Sequence, residues 1–265
     1  MIRALLARSL RHHGALFIAI AIGLAAFETL IIEAAAVFES GPGIRFLLDM
    51  MPEVVRTTIE TQIGLASFAS AVAFGFVHPF TLAGGIAFVV MAATIPAGER
   101  ETKLLDLLLA RPVPRRHYLL SSLALMAIGA VVLPLVQLAG AAGALAVIET
   151  RGELPWQRYI PCAIGLTALL LAFGGIALLL ASGAKRRGPA VSQVVGLALA
   201  AYVVEFLADL WPRLEWIRWA SPFHYFKPIQ SAITPSTPIR NLLVLLGIFA
   251  ITTLLAFARF NRRDI

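Results

Sequence analysis

The chain has 265 residues, of which 59% are hydrophobic and 14% charged, and its formal net charge is +7. Soluble globular domains usually carry about 25% charged residues, so this composition excludes that class and indicates a membrane protein. The basic residues are scattered between long apolar runs instead of forming one polar surface, which argues against nucleic acid as a partner.

The length suits one compact helical unit, and no Ser/Gly-rich linker divides it, so we predict a single membrane domain over residues 1–265. Cys162 is the only cysteine. A lone cysteine excludes an intrachain disulfide and a cysteine-based metal cluster, and we predict no metal site.

The N-terminal residues have an amphipathic pattern, with Ile2, Leu5, Leu6 and Leu10 on one side of a helical wheel and Arg3, Arg8 and Arg11 on the other. This pattern favours a helix lying on the membrane surface, the alternative being a disordered basic leader. The apolar run over 16–38 is longer than the core of a signal peptide, so we interpret it as a retained first span.

After the first span the sequence predicts a mixed-charge loop with one or two short helices, and then a long apolar run broken at His78-Pro79. We place the second span at 76–97, preceded by a lateral or re-entrant helix. The remaining predicted spans are 118–148, 160–181, 190–210 and 241–258. Between the last two, residues 211–240 combine prolines and tryptophans with charges, which favours short helices at the membrane interface.

Six spans place both termini on one side of the membrane, and the distribution of basic residues identifies that side. Of the 22 Lys and Arg residues, 14 fall on the side of the termini and 8 on the other. Because cytoplasmic loops carry the excess of positive charge, both termini are predicted to be cytoplasmic.

The longest charged interruption on this cytoplasmic side is the segment 98–116, GERETKLLDLLLARPVPRR. Acidic Glu99 and Glu101 favour a helix start near Glu99, and Pro112 and Pro114 end it. Leu104, Leu107 and Leu108 form an apolar stripe beside charged residues. Such a stripe either rests on lipid or fills a groove in a partner protein, and physical reasoning alone leaves both possibilities open.

Three motifs resemble the permeases of the type-2 ABC exporter family. The first is Gly98-Glu99-Arg100-Glu101 with Leu107-Leu108-Leu109-Ala110-Arg111-Pro112-Val113 after the second span. The second is Ser221-Pro222-Phe223-His224-Tyr225-Phe226 before the last span, and the third is the closing Phe260-Asn261-Arg262-Arg263-Asp264-Ile265. With the six spans, the resemblance covers the whole chain.

This resemblance implies an all-α membrane protein of a bacterial inner membrane, acting as the export subunit of an ATP-driven transporter. It implies two permease subunits, identical or different, paired with two ATPase subunits, and a coupling helix that contacts the ATPase. The coupling residues it implies are Glu99, Arg100, Glu101, Leu104, Leu105, Asp106, Leu108 and Arg111. The chain lacks a Gly-x-x-x-x-Gly-Lys-Ser/Thr phosphate loop, so ATP and Mg are expected on the partner and no cofactor on this chain.

Polar residues inside the predicted spans are candidates for the translocation path, namely Glu28, Glu33, His78, Gln137 and Glu205. A carboxylate at mid-membrane costs on the order of 2.5 to 3.5 kcal/mol, so it usually faces a cavity, a partner or water. Glu33 lies roughly 140° around the helix from Glu28, so the two do not share a face. The alternative is that these acids pair with hydroxyls or with arginines and only hold helices together.

Two other classes of function are compatible with the composition. A membrane scaffold or assembly factor would share the fold and need no ATPase. An intramembrane metal enzyme would have to use Glu28, Glu33 and His78, which lack a paired motif such as His-Glu-x-x-His. The sequence does not identify the cargo, because one fold serves many substrates.

Overall fold

The computed structural model of the protein describes residues 2–40, 68–102, 115–147, 155–233 and 238–261. These residues form α-helices joined by short 3₁₀ helices and turns, without a β-strand in the described ranges. The α-helices are α1 (Ile2–Ser40), α2 (Phe68–Val77), α3 (Pro79–Ala93), α4 (Ile95–Glu101), α5 (Arg115–Val147), α6 (Ile160–Gly183), α7 (Arg187–Leu210), α8 (Pro228–Ile233) and α9 (Ile239–Asn261).

Within the described ranges, six helical stretches are long and apolar enough to cross a membrane, which confirms the predicted all-α membrane fold. They are Leu6–Val37, Phe68–Ala93, His117–Val147, Trp156–Gly183, Arg187–Ala208 and Ile239–Asn261. Of the predicted loop after the first span, only the beginning, up to residue 40, is described, and of the predicted turn after the third span only the end, from residue 155. The last four residues of the closing motif lie outside the described residues.

The first span differs from its prediction because α1 is one continuous helix of 39 residues. The amphipathic stretch is helical, as expected, but no break separates it from the span. At 1.5 Å per residue α1 is roughly 58 Å long, about twice the thickness of the hydrocarbon core. One end of α1 therefore extends beyond the membrane.

The second span starts earlier than predicted and is broken twice. Helices α2 and α3 follow each other directly around His78, so residues from Phe68 onward belong to the span and not to a separate lateral helix up to residue 76. The span ends at Ala93 and not at Ala97, and the next helix, α4, begins at Ile95 and not near Glu99. Pro96 has no N–H to donate to the carbonyl of Ala92, which explains a helix boundary here.

Helix α6 lies at the centre of the protein and packs against α3, α5, α7 and α9. Its side chains are the most buried of the six spans, and Leu169, Leu170 and Phe173 are inaccessible to solvent. On the outside of this core, α1 packs along α5. Contact there is close at Gly140, where an added Cβ would lie 2.7 Å from the carbonyl oxygen of Ala25.

Short helices precede the last span, as the sequence predicted. Two 3₁₀ helices, Pro212–Ala220 and Pro222–Tyr225, are followed by α8. Helix α8 packs against α2 and α6, and the Cys162 thiol on α6 donates a hydrogen bond to the Pro228 carbonyl at 3.4 Å. Trp211, Trp216 and Trp219 are exposed, as is typical of aromatic residues at a membrane interface.

Candidate functional site

Two groups of polar residues stand out in the described part of the chain. One, which we call the α4 hub, comprises Glu99, Arg100 and Glu101 with the residues that they contact. The other, the membrane cluster, comprises Glu28, Gly75, Thr81 and Gln137. The predicted coupling residues Leu104, Leu105, Asp106, Leu108 and Arg111 lie outside the described residues.

The geometry of α4 follows from the turn at Thr94, whose hydroxyl and backbone N–H both donate to the Val90 carbonyl, at 2.8 and 3.0 Å. The backbone of Thr94 has φ −93° and ψ 3°, outside the α-helical range, so the chain changes direction there. Helix α4 therefore leaves the second span and carries its charged residues alongside the ends of the other spans.

Glu99 joins α4 to the start of α1 and to the start of α5. Its Oε1 lies 3.3 Å from Arg8 Nη2, and its Oε2 accepts a hydrogen bond from the Tyr118 hydroxyl. Burial raises the pKa of the Glu99 carboxyl, and the nearby Arg8 and His12 oppose that shift. Protein partners thus replace much of the water around this carboxyl.

Arg100 and Glu101 join α4 to three other helix ends. Arg100 Nη1 donates to the Ala184 carbonyl after α6 at 3.0 Å, and its guanidinium lies 5.8 Å from the ring centre of Phe260 on α9. Glu101 Oε2 accepts the backbone N–H of Arg187 at the start of α7, at 3.0 Å. A carboxylate at a helix N-terminus is favourably placed for the helix dipole.

The side chain of Arg187 forms hydrogen bonds with the end of the second span. Its Nε donates to the Thr94 hydroxyl at 3.3 Å and its Nη2 to the Met91 carbonyl at 3.4 Å. Gly98 provides the space, because an added Cβ would lie 3.2 Å from Arg187 Cδ. The α4 hub therefore connects the neighbouring ends of α1, α3, α5, α6, α7 and α9.

The membrane cluster joins two residues that are far apart in sequence. Gln137 Nε2 on α5 donates a hydrogen bond to Glu28 Oε2 on α1 at 2.7 Å, and both side chains are completely buried. Glu28 Oε1 and Gln137 Oε1 have no hydrogen-bond partner in the described part of the chain. The cluster lies inside one subunit, away from its outer surface.

Gln137 also donates a hydrogen bond to the backbone at the break in the second span. Pro79 has no N–H, which leaves the carbonyl of Gly75 without its helical donor. Thr81 Oγ1 donates to that carbonyl at 2.7 Å and Gln137 Nε2 at 3.1 Å. Such replacement is needed because an unpaired carbonyl inside a bilayer is costly. An added Cβ at Gly75 would overlap the Glu28 carboxylate, so a larger residue there would displace that side chain.

His78 lies at the break itself and acts as the N-cap of α3. Its Nδ1 accepts the backbone N–H of Phe80 at 3.1 Å. Its ring contacts Phe27 and Phe74, with centroid distances of 4.7 and 5.4 Å. Within the described ranges, no three His, Cys, Asp or Glu residues are grouped so that they could hold a metal ion.

The other two path candidates lie apart from the membrane cluster. Glu33 is exposed on α1, on a different side of the helix from buried Glu28. Glu205 on α7 pairs with Arg218 at 3.1 Å, and its Oε1 lies 3.5 Å from His224 Nδ1. Burial lowers the pKa of the His224 imidazole, and the Glu205 carboxylate opposes that shift.

Comparison with known proteins identifies the family. A family model described as ABC-2 family transporter protein matches residues 8–265. The chain belongs to the ABC-2 family of transporters. It is therefore a multi-pass membrane protein and a non-catalytic membrane subunit of an ABC transporter, a class that works with a partner ATPase. A search of curated proteins found no match.

Family membership favours the transporter over the scaffold and the intramembrane enzyme. The sequence had singled out the residues of α4 and, separately, Glu28 and Gln137. It had not revealed that Arg8, Tyr118 and Arg187 contact α4, nor that Gln137 contacts the Gly75 carbonyl. The only sequence signal for the latter was Pro79, which implies a carbonyl that needs another donor.

Replacing Gln137 with Leu should destabilise the protein, because it removes a donor from both Glu28 and the Gly75 carbonyl. Loss of a buried hydrogen-bond partner costs about 1–3 kcal/mol. The measurement is thermal unfolding of the purified protein in detergent, with Gln157→Leu, whose side chain is exposed, as the matched control. Equal melting temperatures for the two variants would show that the membrane cluster does not stabilise the break.

Proposed function

We propose that this chain is the export permease of an ATP-driven transporter, and that the segment 98–116 is its contact with a separate ATPase subunit. The observation that carries the proposal is the α4 hub. Residues at the start of the predicted coupling segment contact the neighbouring ends of five spans besides their own. A force applied to this segment reaches those spans through direct contacts.

In this mechanism ATP and Mg bind to the ATPase subunits, and this chain binds no cofactor. The apolar and charged residues Leu104, Leu105, Asp106, Leu108 and Arg111 form the docking surface for the ATPase. Glu99, Arg100 and Glu101 transmit its movement. Because these three side chains bridge α4 to other helices, α4 and the helix ends around it move as one body.

The proposed topology places both termini in the cytoplasm of a bacterial cell, with the protein in the inner membrane. The excess of Lys and Arg on the side of the termini supports it. The contacts Arg8–Glu99 and Arg100–Phe260 also bring the start of α1 and the end of α9 to α4. Both helix ends therefore share the side on which the coupling segment meets the ATPase.

Docking and transmission can be separated by mutation. The double variant Leu104→Asp, Leu108→Asp should lose the co-expressed ATPase during purification, because charges replace the apolar contact. Arg100→Gln should retain the ATPase, but the transport rate per ATP hydrolysed should fall about tenfold or more, since charged hydrogen bonds contribute about 1.5–3 kcal/mol. Both are measured on the reconstituted complex.

Lys185→Gln is the matched control for Arg100→Gln, because Lys185 is exposed and follows Ala184 directly. Retention of the ATPase by the aspartate double variant would refute the docking surface. Transport of the Arg100 variant equal to that of the Lys185 control would refute the transmission role.

We further propose that a second permease subunit packs against α7. Gly188, Ser192, Gly196 and Ala200 follow each other at intervals of four residues and are exposed. Nothing lies within 4 Å of a Cβ added at Gly188 or Gly196. Stripes of small residues let membrane helices approach closely, and the exposed amide of Gln193 beside this stripe needs a polar partner in lipid.

The translocation path then lies between the two subunits and not within one. Glu33 is exposed on α1 and can line that path. Glu28 and Gln137 are buried and instead stabilise the kinked second span from the interior of the subunit. His78 caps the kink, and the Glu205–Arg218 pair fixes the outer end of α7.

The interface predicts a specific cross-link. In a Cys162→Ser background, Ser192→Cys should form a disulfide-linked dimer under mild oxidation, seen by non-reducing electrophoresis. Adding Gly196→Leu should abolish the dimer, because the side chain separates the two helices. Gly247→Leu on α9 is the control, since that glycine also has open space around it. A dimer unaffected by Gly196→Leu would exclude this face.

A further inference from the structure

A cleft with a volume of ≈ 930 Å³ lies between the start of α1 and the corner where α3 meets α4. The N-terminal part of α1 forms one wall, α4 the other, and Arg187 of α7 closes the end. Its charged and imidazole side chains are Arg8, Arg11, His12, His13, Glu99, Glu101 and Arg187.

The cleft carries an excess of positive charge that its own carboxylates do not neutralise. Glu99 is already engaged by Arg8 and Tyr118, and Glu101 by a backbone N–H. The guanidinium of Arg187 donates to a hydroxyl and a carbonyl, both of which are neutral. Arg11 is exposed and has neither a hydrogen bond nor an ion pair with the residues that the structure describes.

Two arginines at one cleft, neither with a carboxylate partner among the described residues, favour an anion with several oxygen atoms. The planar guanidinium presents parallel N–H donors that match phosphate geometry. His12 and His13 offer further ring nitrogens on the same wall. The side chains of the cleft therefore match the oxygen atoms of a phosphate ester.

The surface next to the cleft favours a lipid over a soluble phosphate. Ile18 and Ile22 lie seven and eleven residues after Arg11, which places all three on one face of α1. Both isoleucines are exposed, at 58% and 63% of their surface. The candidate first span begins at Leu6, so Arg11 lies near the membrane boundary and the isoleucines lie deeper. The charged headgroup of a lipid would contact Arg11, and its apolar tail would contact Ile18 and Ile22.

We propose that this cleft binds the headgroup of an anionic phospholipid, with Arg11 and Arg187 contacting the phosphate and an acyl chain lying along Ile18 and Ile22. In the proposed topology the start of α1 is cytoplasmic, so the lipid belongs to the cytoplasmic leaflet. This assignment rests on that topology. Since Glu99 and Glu101 line the same cleft, the lipid bridges α1 to the α4 hub. Membrane composition would then affect the stiffness of the coupling contact.

The test uses the permease alone, delipidated in detergent, with phosphatidylglycerol and phosphatidylcholine as probes and native mass spectrometry as the readout. Phosphatidylglycerol should be retained over phosphatidylcholine. Arg11→Gln should lower its retention about fivefold, and Arg11→Gln with Arg187→Gln about thirtyfold, since each arginine near an anionic lipid contributes a factor of about five. The control Arg213→Gln, exposed in the short helix after α7, should leave retention unchanged.

Equal retention of phosphatidylglycerol by the Arg11→Gln variant and the control would overturn the proposal, and this arm does not depend on Arg187, whose side chain supports the fold. Competition with inorganic phosphate distinguishes the source of the anion. Displacement of the lipid by millimolar phosphate would show a site for a soluble anion and not for a lipid. Because no ATPase is present, failure of the proposed coupling role would leave this result unaffected.

Discussion

The two breaks in the second span determine much of the structure around them. Inside a bilayer every backbone carbonyl needs a donor from the protein, and Pro79 removes one from Gly75. Thr81 and Gln137 supply replacements, and Gln137 also binds Glu28, so α1, α3 and α5 meet at the break. The second break, at Thr94 before Pro96, turns α4 out of the span and places its charged residues among the helix ends.

These two breaks give the charged residues of the chain different roles. The buried Glu28 is held by side chains of its own subunit, which supports a structural role for it within our proposal. The α4 hub is a set of contacts between helix ends, in which each of Glu99, Arg100 and Glu101 reaches a different element. If the ATPase docks on the segment that follows, α4 passes its displacement to α1, α5, α6, α7 and α9 together.

Local signals predicted the fold well, because span length and hydropathy depend on neighbouring residues. His78-Pro79 correctly marked a break, and the apolar runs identified six spans. The acidic pair Glu99 and Glu101 led us to predict a helix start near Glu99. That start was misplaced, because Pro96, earlier in the chain, already lies in the first turn of α4. The Glu28–Gln137 contact joins residues 109 positions apart, and no periodicity in one sequence encodes such a pairing.

In the proposed mechanism, α4 and the start of α7 move as one body during transport. A Cβ built at Gly98 would lie 3.8 Å from the Cβ of Arg187, the separation found in disulfides. The decisive measurement therefore compares ATP hydrolysis and transport by a Gly98→Cys, Arg187→Cys, Cys162→Ser complex before and after oxidation. We expect equal rates in both states. A loss of transport on oxidation that a reductant restores would contradict it.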